Sequence, residues 1–276
     1  MLTEEQMKLA SRQNYFCDSR FISGRIMEYD IRAANISMCR EYGILNDEFY
    51  QYLLYSDKRY REEFIGWQIA KEKEENKGKP ALEASATYRT IYEGIKKAKI
   101  QLFEANNIQP IEVIRIANDA VYVNRPTDLQ YTRFGDFIEF KQKVVAESVV
   151  KLSSTLILFF WHDASGLNID VKGINDEVQV LHQNYMFSVL GSIMLAYERA
   201  GIVDAIKFIE EFYNDYVNRK LDINFYRELT PKSMFRLVNS GYYLNDVRNI
   251  DINCIDISYN GNIIREFWRI LLSKFK

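Results

Sequence analysis

A chain of 276 residues, 47% hydrophobic and 27% charged, is long enough to bury a sizeable core and too apolar to remain disordered. Its 36 Lys and Arg against 38 Asp and Glu give a formal charge of −2, which excludes a strongly basic nucleic-acid body and leaves any such role to local clusters. Cys17, Cys39 and Cys254 form no C-x-x-C pair, which excludes a disulfide frame and a cysteine zinc site and reads as free thiols in a reducing compartment.

With 19 Tyr and 17 Phe but only 12 Gly and 4 Pro, long regular elements are expected. Residues 1–13 read as a short polar helix, and Tyr15 to Ile31 as extended segments broken at Asp18-Ser19 and Ser23-Gly24. A helical pattern from Ala33 to Glu41 stops at Gly43. Asn46-Asp47 caps a helix to about Tyr55, and Ser56-Asp57 another from Lys58 to about Asn76, whose charged end, Lys71 to Lys79, reads as solvated. Tyr88, Ile91, Ile95, Leu102 and Phe103 are spaced for the buried face of a long helix from Leu82 to Ala105. Gln109 to Ile116 and Ala120 to Val123 then form a hairpin around Asn118-Asp119.

Further strands are expected near 136–145, 148–152, 155–161 and 167–171. After Gly173 the character changes: helices at Glu177–Ala200 and from Val203 to about Asn218, a short helix at Pro231–Val238, a pair of short strands or an extended run at Ile250–Ser258 and a terminal amphipathic helix at Asn262–Lys276. The longest apolar run, Leu156 to Trp161, is too short to cross a bilayer, so no membrane is implied and the expected location is the cytoplasm.

Few residues can carry chemistry. Asp30 stands at a strand-to-helix junction and Asp119 at a hairpin turn; two carboxylates at strand ends can share a divalent metal, as nucleotidyl transfer requires. The plainer alternative gives each Asp to its own turn. Glu28 precedes Asp30 by two, shares its strand face and could add a third oxygen. Lys58, Arg59 and Arg61, or Arg89, Lys96 and Lys97, would face phosphates if their helices lie over the sheet. Lys96, Lys97 and Lys99 otherwise read as a solvated helix face. His162 and His182 lack paired ligand spacing, Ser153, Ser154 and Cys39 lack a neighbouring base, and no Gly-rich phosphate loop is present.

The run Phe21-Ile22-Ser23-Gly24-Arg25-Ile26-Met27-Glu28-Tyr29-Asp30-Ile31-Arg32-Ala33-Ala34-Asn35-Ile36 resembles motif A of family B DNA polymerases of the phage and protein-primed type. The run Ala117-Asn118-Asp119-Ala120-Val121-Tyr122-Val123 resembles their motif C, with the second carboxylate on Asp119 and Ala117 where the first would stand. The likeness extends over about residues 14 to 160. Asn35 replaces the motif A Tyr that packs on the nucleotide sugar, and the Lys-x-x-x-Asn-Ser-x-Tyr-Gly signature is missing between the two motifs.

The resemblance implies an α+β fold. Residues 1–172 would form a palm-like antiparallel sheet with packed helices, a reduced helical fingers insertion occupying about 46–106, and residues 173–276 a mostly helical, thumb-like part. It implies template-directed nucleotidyl transfer with Asp30 and Asp119 catalytic, Mg²⁺ held by Asp30, Asp119 and Glu28, and Arg61, Lys96 and Lys97 on the nucleotide. Nucleic acid, nucleoside triphosphates and other replication or phage proteins would be its partners. The alternative is a non-catalytic descendant kept as a replication accessory, or a phage structural or interaction protein.

Overall fold

The computed structural model describes residues 1–247 and 250–274, and the chain divides into two compact units: Met1–Asp18 with Gly24–Val145, and Ser19–Ser23 with Ala146–Lys276. The first part of the chain runs α1 (Glu4–Ala10), β1 (Asn14–Phe16), β2 (Phe21–Ile31), α2 (Ala34–Glu41), α3 (Asp47–Tyr55), α4 (Lys58–Glu75), α5 (Ala81–Ala84), α6 (Ala86–Asn106), β3 (Val113–Ala117), β4 (Ala120–Asn124) and β5 (Phe140–Lys151). In the first unit the strand order is β1-β3-β4-β2-β5, with β1–β3, β3–β4 and β2–β4 antiparallel.

Alternation along β2 decides what the sheet presents. Met27, Tyr29 and Ile31 enter a core shared with Val121 and Val123 of β4, Ile36, Met38 and Cys39 of α2 and Ile95, Leu102 and Phe103 of α6, which leaves Glu28 and Asp30 for the other face. Each fully buried side chain of this set contributes roughly 1.5–3 kcal/mol. Helix α6 starts at Ser85, whose side chain accepts from the Tyr88 N–H, and ends at the left-handed Asn107. Gly94 lets α2 lie close to α6, since a Cβ there would stand 2.7 Å from Met38 Sδ. The charged end of α4 is not wholly solvated: Glu72 accepts from Ser85 Oγ at 2.6 Å, Thr87 Oγ1 at 2.6 Å and Thr87 N–H at 3.0 Å, fastening α4 to the start of α6.

The second part of the chain continues with β6 (Ile157–Asp163), β7 (Gly166–Lys172), α7 (Asp176–His182), α8 (Met186–Ala200), α9 (Ile202–Val217), the short pair β8 (Phe235–Arg236) and β9 (Tyr243–Leu244), and α10 (Ser258–Ser273). In the second unit β5, β6 and β7 are neighbours in antiparallel register. Leu158 and Phe160 of β6, Val171 of β7, Leu190 and Ile193 of α8 and Ile264, Phe267 and Leu271 of α10 form its core. Because β6 and β7 bury their apolar residues with these helices, the division between the units falls at Val145/Ala146, inside β5, and not near residue 172.

The α+β class with an antiparallel sheet and packed helices is what the chain adopts, and several element expectations are corrected within it. The strands expected at 136–145 and 148–152 are one strand, β5. The helix expected over Glu177–Ala200 is two, α7 and α8, parted where Tyr185 takes φ −122° and ψ −105°, a turn that carries His182 into the core. At Pro231–Val238 the left-handed Ser233 (φ 47°) and the pairing of β8 with β9 replace the expected helix. Ile252–Cys254 is a 3-10 turn started by Asp251. The terminal helix begins at Ser258, and the expected residues 275–276 lie outside the described residues.

His182 is fully buried, with its Nε2 2.9 Å from Ser233 Oγ. Burial, and after it the Arg227 guanidinium, pushes the imidazole down from 6.5 to about 4. The unfolded chain therefore takes up a proton between pH 6.5 and 4 that the folded chain refuses, and stability falls as the pH is lowered across that window. Urea denaturation of the wild type and His182→Gln over this range is expected to show about 3 kcal/mol of acid loss that the variant lacks.

Candidate active site

Antiparallel pairing of β2 with β4 brings the end of one strand to the start of the other, so that Asp30 lies opposite Ala120 and next to the turn that carries Asp119. That turn is held from three directions. Asn118 is left-handed (φ 49°), and its N–H donates to the Gln13 carbonyl at 2.6 Å. The Asn118 carbonyl accepts from Lys99 Nζ at 2.8 Å, and the Asp119 carbonyl from the Ile31 N–H at 3.3 Å. Beyond Asp30, Ala33 is also left-handed (φ 46°, ψ 48°), at a cost of roughly 1–2 kcal/mol for a residue with a Cβ, and this sharp bend lets α2 start at Ala34.

The two carboxylates are within hydrogen-bonding reach of each other. Burial first, then the Asp30 charge and the hydrogen bond to Asp30, push the Asp119 carboxyl up from 3.8 to about 6, against the opposing pull of its own amide and of Lys143. The Asp30 side chain, 14% exposed, forms an ion pair with Lys143, whose side chain is 53% exposed. Below the turn, Lys99 is 1% exposed and donates to the Arg12 carbonyl at 2.6 Å as well as to Asn118. Burial pushes its ammonium down from 10.5 to about 8, and the Asp119 charge works the other way. Carboxylates this close cannot both stay ionised cheaply, so the pair holds a proton or draws in a cation.

The other expected residues lie elsewhere or apart. Glu28 shares the Asp30 face, buried opposite Tyr122. Among the described residues no three His, Cys, Asp or Glu side chains gather where they could hold a metal, so Glu28 does not complete a triad with the pair. Arg61 donates to the Leu54 carbonyl at 3.1 Å, and Lys58 and Arg59 pair with Glu62 and Glu63. Lys96 and Lys97 are exposed on α6, with Lys97 5.8 Å from the centre of the Tyr42 ring.

The structure adds Lys99 and Lys143 to the site. Lys99 belongs to the buried face, as its positions four after Ile95 and three before Leu102 could have shown, and is not on the solvated face expected for it. Nothing local in the sequence marks Lys143, which meets Asp30 only through the sheet. In the second unit His162 is not isolated: Nδ1 lies 2.6 Å from Glu147 Oε2 and Nε2 3.4 Å from Glu198 Oε2, and the Glu147 hydrogen bond raises its pKa. Cys39 is buried and its thiol is pushed up to about 12, which disqualifies it as a nucleophile at neutral pH.

The model of the family described as Bacteriophage PBS1 gene 130 protein matches residues 6–273 of this sequence. No curated protein matches it. Among solved structures, the family B DNA polymerase from the hyperthermophilic archaeon Pyrobaculum calidifontis is similar with a TM-score of 0.43 and 13% identity, over 92% of this chain and 45% of that one. The chain thus spans less than half the length of that polymerase. Among the described residues no helix is long and apolar enough to cross a membrane.

Proposed function

The chain belongs to the family described as Bacteriophage PBS1 gene 130 protein, and from that starting point we propose that it carries out template-directed nucleotidyl transfer as a small or partial phage-type polymerase, with Asp30 and Asp119 as its metal-holding carboxylates. The observation that carries the proposal is the meeting of these two side chains, distant along the chain, at one end of adjacent strands. Magnesium takes one or two protein carboxylates together with waters and phosphate oxygens, and a pair already strained by mutual repulsion fits such a cation. When bound, Mg²⁺ would supply charge neutralisation for the displaced phosphate and activation of the attacking hydroxyl.

The chain's own residues do the rest. Asp30 and Asp119 hold the reacting groups at the end of two neighbouring interior strands, while Lys99 and the Gln13 carbonyl fix the turn on which Asp119 sits. The cations expected on the triphosphate, Lys96 and Lys97, exposed on α6, and Arg61, which donates to the Leu54 carbonyl, stand apart from the pair, so the proposal rests on the two carboxylates. The template, the primer and other replication or phage proteins are the partners of this reading.

The test is extension of a primed DNA template in Mg²⁺ by the wild type, Asp30→Asn and Asp119→Asn. Both substitutions are expected to lower incorporation on the order of a thousand-fold. Equal incorporation by all three, or none by the wild type, would sink the proposal. A second reading, a non-catalytic descendant serving as a replication accessory or phage structural protein, is favoured by Ala117 in place of a carboxylate and by Lys143 standing on Asp30. It expects salt-dependent DNA binding without incorporation for an accessory, and neither for a structural protein.

A further inference from the structure

Two ammonium groups serve the carboxylate pair, and they differ in one respect that matters. Lys99 is buried and holds two carbonyl oxygens, so it cannot leave without unmaking the turn. Lys143 reaches Asp30 from an exposed position on β5, where its ammonium forms the ion pair. Ala117 contributes no charge, and no third His, Cys, Asp or Glu gathers with the pair among the described residues, so a cation arriving at Asp30 finds an acidic side chain already neutralised.

We propose that Lys143 is a tethered counter-ion: it occupies on Asp30 the place that a divalent cation would take, stabilises the metal-free site, and is displaced when the metal enters. This rests on the reading of Asp30 and Asp119 as metal ligands, and it concerns how that site is filled. Removing a charge that competes for the same oxygen raises the affinity of the incoming ion, whereas removing a similar charge nearby does little in salt, because exposed charges are screened. Lys141 supplies that comparison: it lies two residues away, on the same face of β5, and is exposed.

The experiment uses Mn²⁺ as the probe, titrated into metal-stripped protein and followed by electron paramagnetic resonance. Lys143→Met is expected to bind Mn²⁺ about two- to five-fold more tightly than the wild type, the scale of an exposed ion pair. Lys143→Arg and Lys141→Met should stay close to the wild type, and Asp30→Asn should lose the ion. Thermal melting gives a second readout: Lys143→Met should melt below the wild type in chelator and level with it in saturating Mn²⁺, since a ligand bound only by the folded state adds to its stability. Unchanged or weaker Mn²⁺ binding by Lys143→Met, with Asp30→Asn still losing the ion, overturns the counter-ion and leaves the metal pair standing. Equal binding by the wild type and Asp30→Asn, or binding by neither, removes both.

Discussion

Asp119→Asn is expected to melt higher than the wild type at pH 7.5 in chelator, while losing nucleotide incorporation. Burial and the Asp30 charge hold the Asp119 carboxyl up near 6, against an ordinary value of 3.8. A carboxyl whose pKa is raised by folding favours the folded chain fully below pH 3.8, and that favour is lost as the pH rises through 6. Keeping the pair ionised at pH 7.5 therefore costs up to about 3 kcal/mol. Asparagine removes the charge and can still donate to Asp30, so a net gain of about 1–2 kcal/mol is expected, or a melting temperature higher by a few degrees.

The pH dependence separates this from a general repacking effect. The variant's advantage should shrink at pH 4.5, where the wild-type carboxyl is protonated, and should reverse in saturating Mg²⁺ if the pair holds the ion. A variant less stable than the wild type at pH 7.5 in chelator would mean that the Asp119 carboxylate stabilises the turn on balance, contrary to the electrostatics. His182 gives the opposite slope over nearly the same pH range, so the comparison must be made between wild type and variant and not from one curve.

The elements nearest the site are those the sequence states most openly. Long apolar spacing defines α6, Asn118-Asp119 between two apolar runs defines the hairpin, and period-two alternation on β2 puts Glu28 and Asp30 on one face. Asp30 and Asp119 could be singled out because short motifs carried them. Their meeting could not be read, since it depends on β2 pairing with β4 across the intervening helices. Lys99 was legible by position and illegible by type: the helix period buries it, but lysine is a solvated residue by default. The break between α7 and α8 carries no Pro, and the turn from Thr230 to Ser233 holds Pro231 at its second position and leads into β8 instead of a helix; His182 and Ser233 meet where the two breaks face each other. Tertiary partners there override a helical pattern that is locally sound.

Lys99→Ala is expected to be the most destabilising single change at the site, at about 3–4 kcal/mol in urea denaturation at pH 7. It removes a buried stem and leaves the Arg12 and Asn118 carbonyls without the donor each now has. Lys99→Met keeps most of the volume but not the donor, so it should cost less, about 1–3 kcal/mol. The charge itself shows in alkali. The ammonium is held near 8 in the fold against 10.5 when unfolded, so from pH 8 to 10.5 the unfolded chain keeps a proton that the folded chain has shed. Wild-type stability should rise with pH across that window relative to Lys99→Met, because the charged form is the one burial penalises. The turn should register the loss as well, through faster amide exchange at Asn118, whose carbonyl Lys99 holds. If Lys99→Ala matches the wild type in both stability and Asn118 exchange, the buried ammonium is a tolerated passenger, and the precision of the Asp119 turn must come from Gln13 and Ile31 alone.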